Sequence, residues 1–343
     1  MTNEVTLRDV AREAGVHVST ASRALNSETR GVVNADTVKR VLATADRLGY
    51  KPNPMARGLR KNRTMTIGIV IPDIENPLFG PIIAGAEQAL GSRGYSLLIA
   101  NADRDDESHT RETVRALVDR RVDGMILATA SRSDGLITEL AASGVVMVLV
   151  NRAIEGSPVP AILGDDMAGI GLAVDHLVNL GHRHVGHVAG PQHLSTGMGR
   201  YQAFLTRMQS LGHYVDTSVV EEADWYQVDP GYKAAMRLLE RRPDLTAIVA
   251  ANDLIALGCY VAVRESGGEI PRDVSITGYN DMPFLDLMQP ALTSVRVPYR
   301  QMGVEAAELL LSQLTADADN ERAVSIRLTP RLIVRESTAP PRL

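Results

Sequence analysis

T-L-R-D-V-A-R-E-A-G-V-H-V-S-T-A-S-R-A-L-N, from Thr6 to Asn26, holds two short amphipathic patterns separated by one glycine. In the first, Leu7, Val10, Ala11 and Ala14 recur at i, i+3, i+4 and i+7, one apolar face of a helix. Thr6 is placed to cap that helix. Asp9, three residues on, completes a capping box and sets an acid near the positive end of the helix dipole. Gly15 breaks the pattern, and Val18 to Asn26 resume it with small and hydroxyl-bearing residues. Two short helices joined by a tight glycine-containing turn describe a helix-turn-helix, a motif whose second helix enters the major groove of DNA. A third helix is expected from about Ala35 to Leu48, capped by Asn34 and stopped by Gly49, with Val38, Val41, Leu42, Ala45 and Leu48 inward.

The second helix carries Ser19, Thr20, Ser22 and Arg23 on its polar side, short donors and one guanidinium where a merely solvated helix would more often show Glu and Lys. Arg bonds bidentately to a guanine edge, while Ser and Thr reach phosphates or bases without bulk. Charge agrees with that reading. The chain is net -5, yet residues 1–63 hold 12 Lys/Arg against 6 Asp/Glu, net +6; the remaining 24 bases and 35 acids give -11. A basic head on an acidic body suggests that one end meets a polyanion.

With L-G-Y-K-P-N and A-R-G-L-R following it, the Thr6–Asn26 stretch resembles the lactose-repressor family of bacterial regulators, and later segments extend the resemblance over essentially the whole chain. It implies that Val18, Ser19 and Arg23 read base edges while Thr6, Thr20, Ser22 and Asn26 position the head on phosphates. His17 departs from the family, which usually has a Ser there that caps the recognition helix and touches the DNA backbone. The residue is retained as a DNA-facing candidate with a different contact. The stretch 52–63, P-N-P-M-A-R-G-L-R-K-N-R, joins head to body; Asn53 suits a cap and Pro54 a first helical position, and the segment is too short to hold helicity alone. The resemblance implies a hinge that becomes helical on DNA in a homodimer, with Asn53, Ala56 and Arg60 on the DNA and Leu59 wedged into the minor groove.

From Met65 onward short apolar runs alternate with helical stretches: Ile67–Ile71, Ser96–Ala100, Gly124–Ala128, Val145–Val150, Val185–Ala189, Ala247–Ala251 and Val274–Gly278. Continuous rather than alternating runs read as strands buried on both faces of parallel sheets. The expected fold is therefore a small all-α helix-turn-helix head (1–51), the hinge (52–63), and a two-lobed α/β body (64–343) resembling periplasmic binding proteins. Resemblance implies three crossings between lobes, near 164, 295 and 323. The first lobe is then about 64–164 and 296–323, the second 165–295 and 324–343.

In such a body a ligand lies at the carboxyl ends of the strands. Asp73 and Phe79 follow the first strand, Asn151 and Arg152 the fourth, Thr196 and Arg200 the fifth, and Trp225, Asn252 and Asp281 later strands. An indole face stacks on the C–H surface of a sugar ring, and Arg, Asn and Asp bond hydroxyls, so a sugar-like effector is expected. Trp225 alone would also fit a core, and Asn252-Asp253 would fit a helix cap, the role read for Asp253. Leu194 stands where some relatives carry a base, which argues against a purine.

Other signals exclude more than they suggest. Cys259 is the single cysteine, so neither a disulfide nor a thiolate metal site is expected. His182, His184 and His187 crowd together, but alternation along a strand turns neighbours to opposite faces. Gly190–Gly199 lacks the Lys-Ser/Thr ending of a phosphate-binding loop. No cofactor and no metal are called for, and no nucleophile–base pair points to an enzyme. A solute-binding protein would have an export signal and no use for the basic head. The N-terminus reads as no leader, no apolar run spans a bilayer, and a cytoplasmic location follows. The tail T-A-P-P-R-L carries no heptads, so a dimer on double-stranded operator DNA is expected rather than a coiled-coil tetramer.

Overall fold

The structure, a computed structural model, describes residues 5–26, 29–50, 63–103, 107–213, 216–315 and 325–342. Asn53, Ala56, Leu59 and Arg60 lie outside the described residues. The chain divides into two compact units, Met1–Thr64 and Met65–Leu343.

The head unit holds three helices, α1 (Leu7–Glu13), α2 (Val18–Leu25) and α3 (Ala35–Leu48). The capping box at α1 is complete: Asp9 N–H donates to Thr6 Oγ1 at 3.4 Å and Thr6 N–H to Asp9 Oδ2 at 3.0 Å. Asn34 Oδ1 accepts from Asp36 N–H at 2.9 Å at the start of α3, and Gly49, at φ 68°, ends it in the left-handed region that favours glycine. Val10, Ala11, Ala14, Ala21, Ala24, Val38, Val41 and Ala45 form the head's buried core. The alanines let the helices approach closely, and Arg40 Nε ties α3 to the end of α1 by donating to the Ala14 carbonyl at 3.0 Å.

The body unit is built on two six-stranded sheets. The first contains β1 (Thr66–Ile71), β2 (Ser96–Asn101), β3 (Gly124–Leu127), β4 (Met147–Val150), β5 (Ala161–Gly164) and β11 (Ile326–Leu328), in the order β11-β5-β4-β3-β1-β2, all parallel. The second contains β6 (Val185–Ala189), β7 (Val220–Glu222), β8 (Ala247–Ala250), β9 (Ser275–Asn280), β10 (Thr293–Arg296) and β12 (Arg331–Ile333), in the order β12-β10-β9-β8-β6-β7. Only β12 runs antiparallel, pairing Ser294 with Ile333. Every residue of β3, β4, β6, β8 and β9 is buried, as continuous apolar runs require of central strands, whereas edge strand β2 has no fully buried residue and exposes Ser96, Ile99 and Asn101.

Helices α4 (Phe79–Ser92), α5 (Glu107–Asp119), α6 (Gly135–Ala142) and α11 (Tyr299–Thr315) accompany the first sheet; α7 (Asp166–Asn179), α8 (Ser195–Ser210), α9 (Val228–Arg241) and α10 (Asp253–Glu265) accompany the second. The chain passes from first to second sheet after β5, returns after β10, and passes again between β11 and β12. That third passage is at Thr329–Pro330, later than the expected 323, because Ile326–Leu328 adds a last strand to the first sheet with Ile326 beside Ile162. Residues 326–328 therefore belong to the first lobe.

One helix pair, α4 and α11, owes its closeness to a glycine on each side. A Cβ on Gly303 of α11 would lie 2.0 Å from the Ile82 carbonyl oxygen, and one on Gly85 of α4 would lie 2.0 Å from that of Arg300. Both neighbours are backbone and cannot swing aside. Gly303→Ala should therefore destabilise the body by about 1–3 kcal/mol, the usual cost of overpacking. Urea denaturation should show a lowered midpoint; an unchanged midpoint would mean that the two helices slide apart freely.

Candidate functional site

Helix α2 exposes its candidate DNA-reading residues as a consequence of how it packs. Ala21 and Ala24 are buried in the head core, and Ser19, Ser22, Arg23 and Asn26 share the other side at i, i+3, i+4 and i+7. Arg23 is exposed and Thr20 flanks that face, while Val18 is half-buried against the core. His17 is itself the N-cap: its Nδ1 accepts from Ser19 N–H at 3.3 Å and lies 2.8 Å from Ser19 Oγ. The imidazole thus fills the capping role of the expected Ser. Thr6 Oγ1 donates to Asp9 Oδ2 at 2.6 Å, a bond that holds the Asp9 carboxyl below its ordinary range.

In the body, strand ends from both sheets converge on one cavity. Asp73, Phe79, Asn151, Arg152, Thr196, Arg200, Trp225 and Asn252 all line it, joined by Pro72, Asn76, Leu78, Tyr226 and Asn280. β1 and β6 are the strands from which successive connections run to opposite sides, so the loops after them diverge and leave a crevice at their carboxyl ends. The cavity adjoins a wider, open part of the cleft lined by Ser131, Arg132, Asp134, Glu155, His193 and Leu194, with Pro72, Arg152 and Trp225 common to both.

Each lining residue is fixed by local structure. Asp73 Oδ1 accepts from Glu75 N–H and Asn76 Oδ1 from Leu78 N–H, a turn that delivers Phe79 to the start of α4. Thr196 and Arg200 lie one turn apart on α8, and Tyr226 donates to Thr196 Oγ1 at 3.0 Å. Arg200 is buried, donates from Nε to Asp166 Oδ1 at 2.9 Å and from Nη1 to the Ala251 carbonyl at 2.7 Å, and lies 3.9 Å from the Tyr279 ring centre. Burial is the largest single influence and opposes its charge, but Asp166 together with Tyr226, Tyr279 and Tyr299 outweighs it and holds the guanidinium well above its ordinary range. Trp225 is half-buried between His193, stacked at 5.8 Å, and the Arg152 guanidinium, 5.8 Å from its ring centre. Asn280 Oδ1 accepts from Tyr299 Oη at 2.6 Å.

Two expectations are corrected. Asp281 does not line the cavity: its carboxylate is paired with Arg296 and with Arg335, the latter at 2.7 Å, and the cavity receives Asn280 instead. The strand β9 runs through Asn280, so register aims that residue at the crevice and turns the next into the loop. Asp253 is not the cap of α10. Asn252 is, accepting from Ile255 N–H at 2.8 Å, while Asp253 is fully buried and accepts from Met282 N–H and Ser294 Oγ. Three further wall residues lie close to the expected ones: Tyr226 and Asn280 adjoin Trp225 and Asp281, and Asn76 stands three residues from both Asp73 and Phe79. Of the histidines, His182 bonds Thr246 and Ala339, His184 pairs with Asp244, and His187 donates to the Val249 carbonyl while stacked on Phe204, burial taking it down to about 4. Among the described residues no group of three or more His, Cys, Asp or Glu is placed to hold a metal ion, and no helix is long and apolar enough to cross a membrane.

Burial pushes the Asp253 carboxyl up to about 7, against the hydrogen bonds from Ser294 and Met282. A folded-state value above the unfolded one means that the native state holds the proton more tightly. Stability from this group is then fully present below about pH 4 and is lost as pH rises through about 7, with a slope of at most about 1.4 kcal/mol per pH unit. Thermal denaturation of Asp253→Asn should show a flatter stability profile over that window than the wild type. Equal slopes would assign the pH dependence elsewhere.

Comparison with known proteins adds five findings. Residues 6–53 match the bacterial regulatory proteins of the lacI family, and residues 174–338 match the periplasmic binding protein-like domain. The chain is 35% identical over 342 residues to the transcriptional regulator MalR of Streptomyces coelicolor, covering 97% of this chain and 96% of that protein. It is similar to the regulator CelR in complex with cellobiose, 31% identical with a TM-score of 0.74 over 97% of this chain and 100% of that one. It is similar also to the Lac repressor dimer bound to operator and an anti-inducer, 27% identical with a TM-score of 0.85 over 98% and 100%.

Proposed function

The chain belongs to the lacI family of bacterial regulatory proteins, and from that premise we propose a homodimeric repressor that binds a palindromic operator and releases or holds it according to a sugar-like effector in the body's cleft. In this reading it acts by binding rather than by catalysis, in the cytoplasm. Val18, Ser19 and Arg23 read base edges; Thr6, His17, Thr20, Ser22 and Asn26 set the head on phosphates; and the segment 52–63 is the hinge.

The observation that carries the effector site is the convergence of the strand ends of two sheets on one cavity that combines aromatic faces with amides. Trp225 and Phe79 offer apolar surface to a ring, and Asn76, Asn151, Asn252 and Asn280 offer donors and acceptors to hydroxyls, a combination that small-molecule sites use for orientation. The cellobiose in the CelR complex supports the same ligand class. Effector and operator are coupled when the ligand binds the DNA-competent and DNA-incompetent states unequally, a difference typically worth about 1–3 kcal/mol.

Arg23→Ala should weaken operator binding by about 1–3 kcal/mol and relax base choice at one position in each half-site. Mobility-shift titration against operator and random DNA measures both; an equal loss on the two would make Arg23 a phosphate contact. With a cleft ligand identified by thermal-shift screening of sugars, operator affinity should change by roughly 5–150-fold between ligand-free and saturated protein, and Trp225→Ala should abolish the response. Identical affinity with and without ligand would sink the coupling.

A further inference from the structure

Arg152 is 5% exposed and lines both the inner cavity and the open cleft, so its guanidinium stands at their boundary. Its Nε has no hydrogen-bond partner. Among the described residues no carboxylate forms an ion pair with it, in contrast to the other arginines of the cleft: Arg200 has Asp166 at 2.9 Å, and Arg132 has Glu155 at 2.6 Å. The residue before it is the amide Asn151. What Arg152 does contact is the Trp225 ring, itself stacked on His193, and neither can neutralise a cation.

The positive charge is also unwelcome where it stands. Burial lowers the Arg152 guanidinium to about 10, outweighing the attraction of Tyr226, and Arg200 adds a smaller repulsion. Asp73 is the carboxylate of the inner cavity, and its Oδ1 is occupied by Glu75 N–H. A buried guanidinium without a counter-charge is costly, and a ligand hydroxyl would satisfy its hydrogen bond without its charge. A carboxylate or phosphate does both, through the planar fork that a guanidinium presents.

We infer that the effector carries an anionic group, a carboxylate or a phosphate, that lies against the Arg152 guanidinium while its hydroxylated part occupies the amide-lined cavity. The inference rests on the cleft being the effector site. Sugar acids and sugar phosphates share the required chemistry, and free inorganic phosphate would satisfy Arg152 alone.

The test is calorimetry and thermal shift on the full chain with matched sets: each common hexose and pentose beside its aldonate, uronate and phosphate ester, with inorganic phosphate as a separate arm. The expected result is an anionic member binding at least about 10-fold tighter than its neutral parent, with the gap lost in Arg152→Gln. Carboxylates and phosphates in separate arms identify which anion fits. A neutral member that binds best, unaffected by Arg152→Gln but lost in Trp225→Ala, would overturn the anionic inference and leave the effector site standing. Binding of any member that survives both Arg152→Gln and Trp225→Ala would overturn the site as well. Response to inorganic phosphate alone, with no hydroxylated anion exceeding it, would likewise count against the inference. A second measurement needs no ligand. Arg152→Met removes the uncompensated charge and should raise the ligand-free melting temperature by about 2–4 °C, whereas a fall of that size would show that the guanidinium is already satisfied within the protein.

Discussion

The bond between Arg200 and Asp166 is the constraint around which the body's cleft is arranged. One guanidinium on α8 reaches the first turn of α7, the carbonyl that ends β8, and the ring of Tyr279 on β9. Those are the elements that present Thr196, Asn252 and Asn280 to the cavity. Tyr279 can lie beneath Arg200 only because α7 has Gly169 at the contact, where a Cβ would sit 2.5 Å from the tyrosine hydroxyl. Breaking such a pair leaves an uncompensated buried charge, a loss of about 3–5 kcal/mol, so the site and the stability of the second lobe depend on the same two residues.

The head was legible almost residue by residue. Helix starts and stops are local chemistry, and Thr6 with Asp9, Asn34 and Gly49 each act within four residues of where they stand. His17 shows that the role at an N-cap is acceptance of a backbone N–H, which an imidazole nitrogen performs as a hydroxyl does. The central strands of the body were legible for a different reason: burial on both faces forces continuous apolar runs. Edge strand β2 was legible too, but β5, β7, β10, β11 and β12 were not. β7, β11 and β12 are three residues each, β10 reads T-S-V-R, and their strand character comes from pairing with chain far away, as Ile326 pairs with Ile162. That distant pairing also explains why the third passage between the lobes was placed too early.

At the site, residue type and position after a strand located most of the cavity wall, because parallel sheets always deliver strand ends to one edge. What type and position do not contain is register and partnership. In G-Y-N-D the two polar residues are adjacent and chemically similar, and only the last hydrogen-bonded position of β9 decides that Asn280 faces the cavity while Asp281 joins Arg296 and Arg335. In N-D at the end of β8 the same adjacency misleads in the other direction. Asn252 takes the cap, and Asp253, turned inward, becomes a buried acid held by β10 and the loop after β9.

Partnership matters most for the arginines. Arg152 and Arg200 look alike in the sequence, each following a strand, and both are buried in the same wall, yet among the described residues only Arg200 has a paired carboxylate. Asp166, which neutralises Arg200, lies 34 residues away in the chain, on a helix that the first passage between lobes brings into reach. Among the described residues no acid forms an ion pair with Arg152, which lies against the Trp225 indole. A protein that buries an arginine without a carboxylate carries a standing electrostatic cost. At the boundary of a cleft, that cost is one an incoming anion can remove.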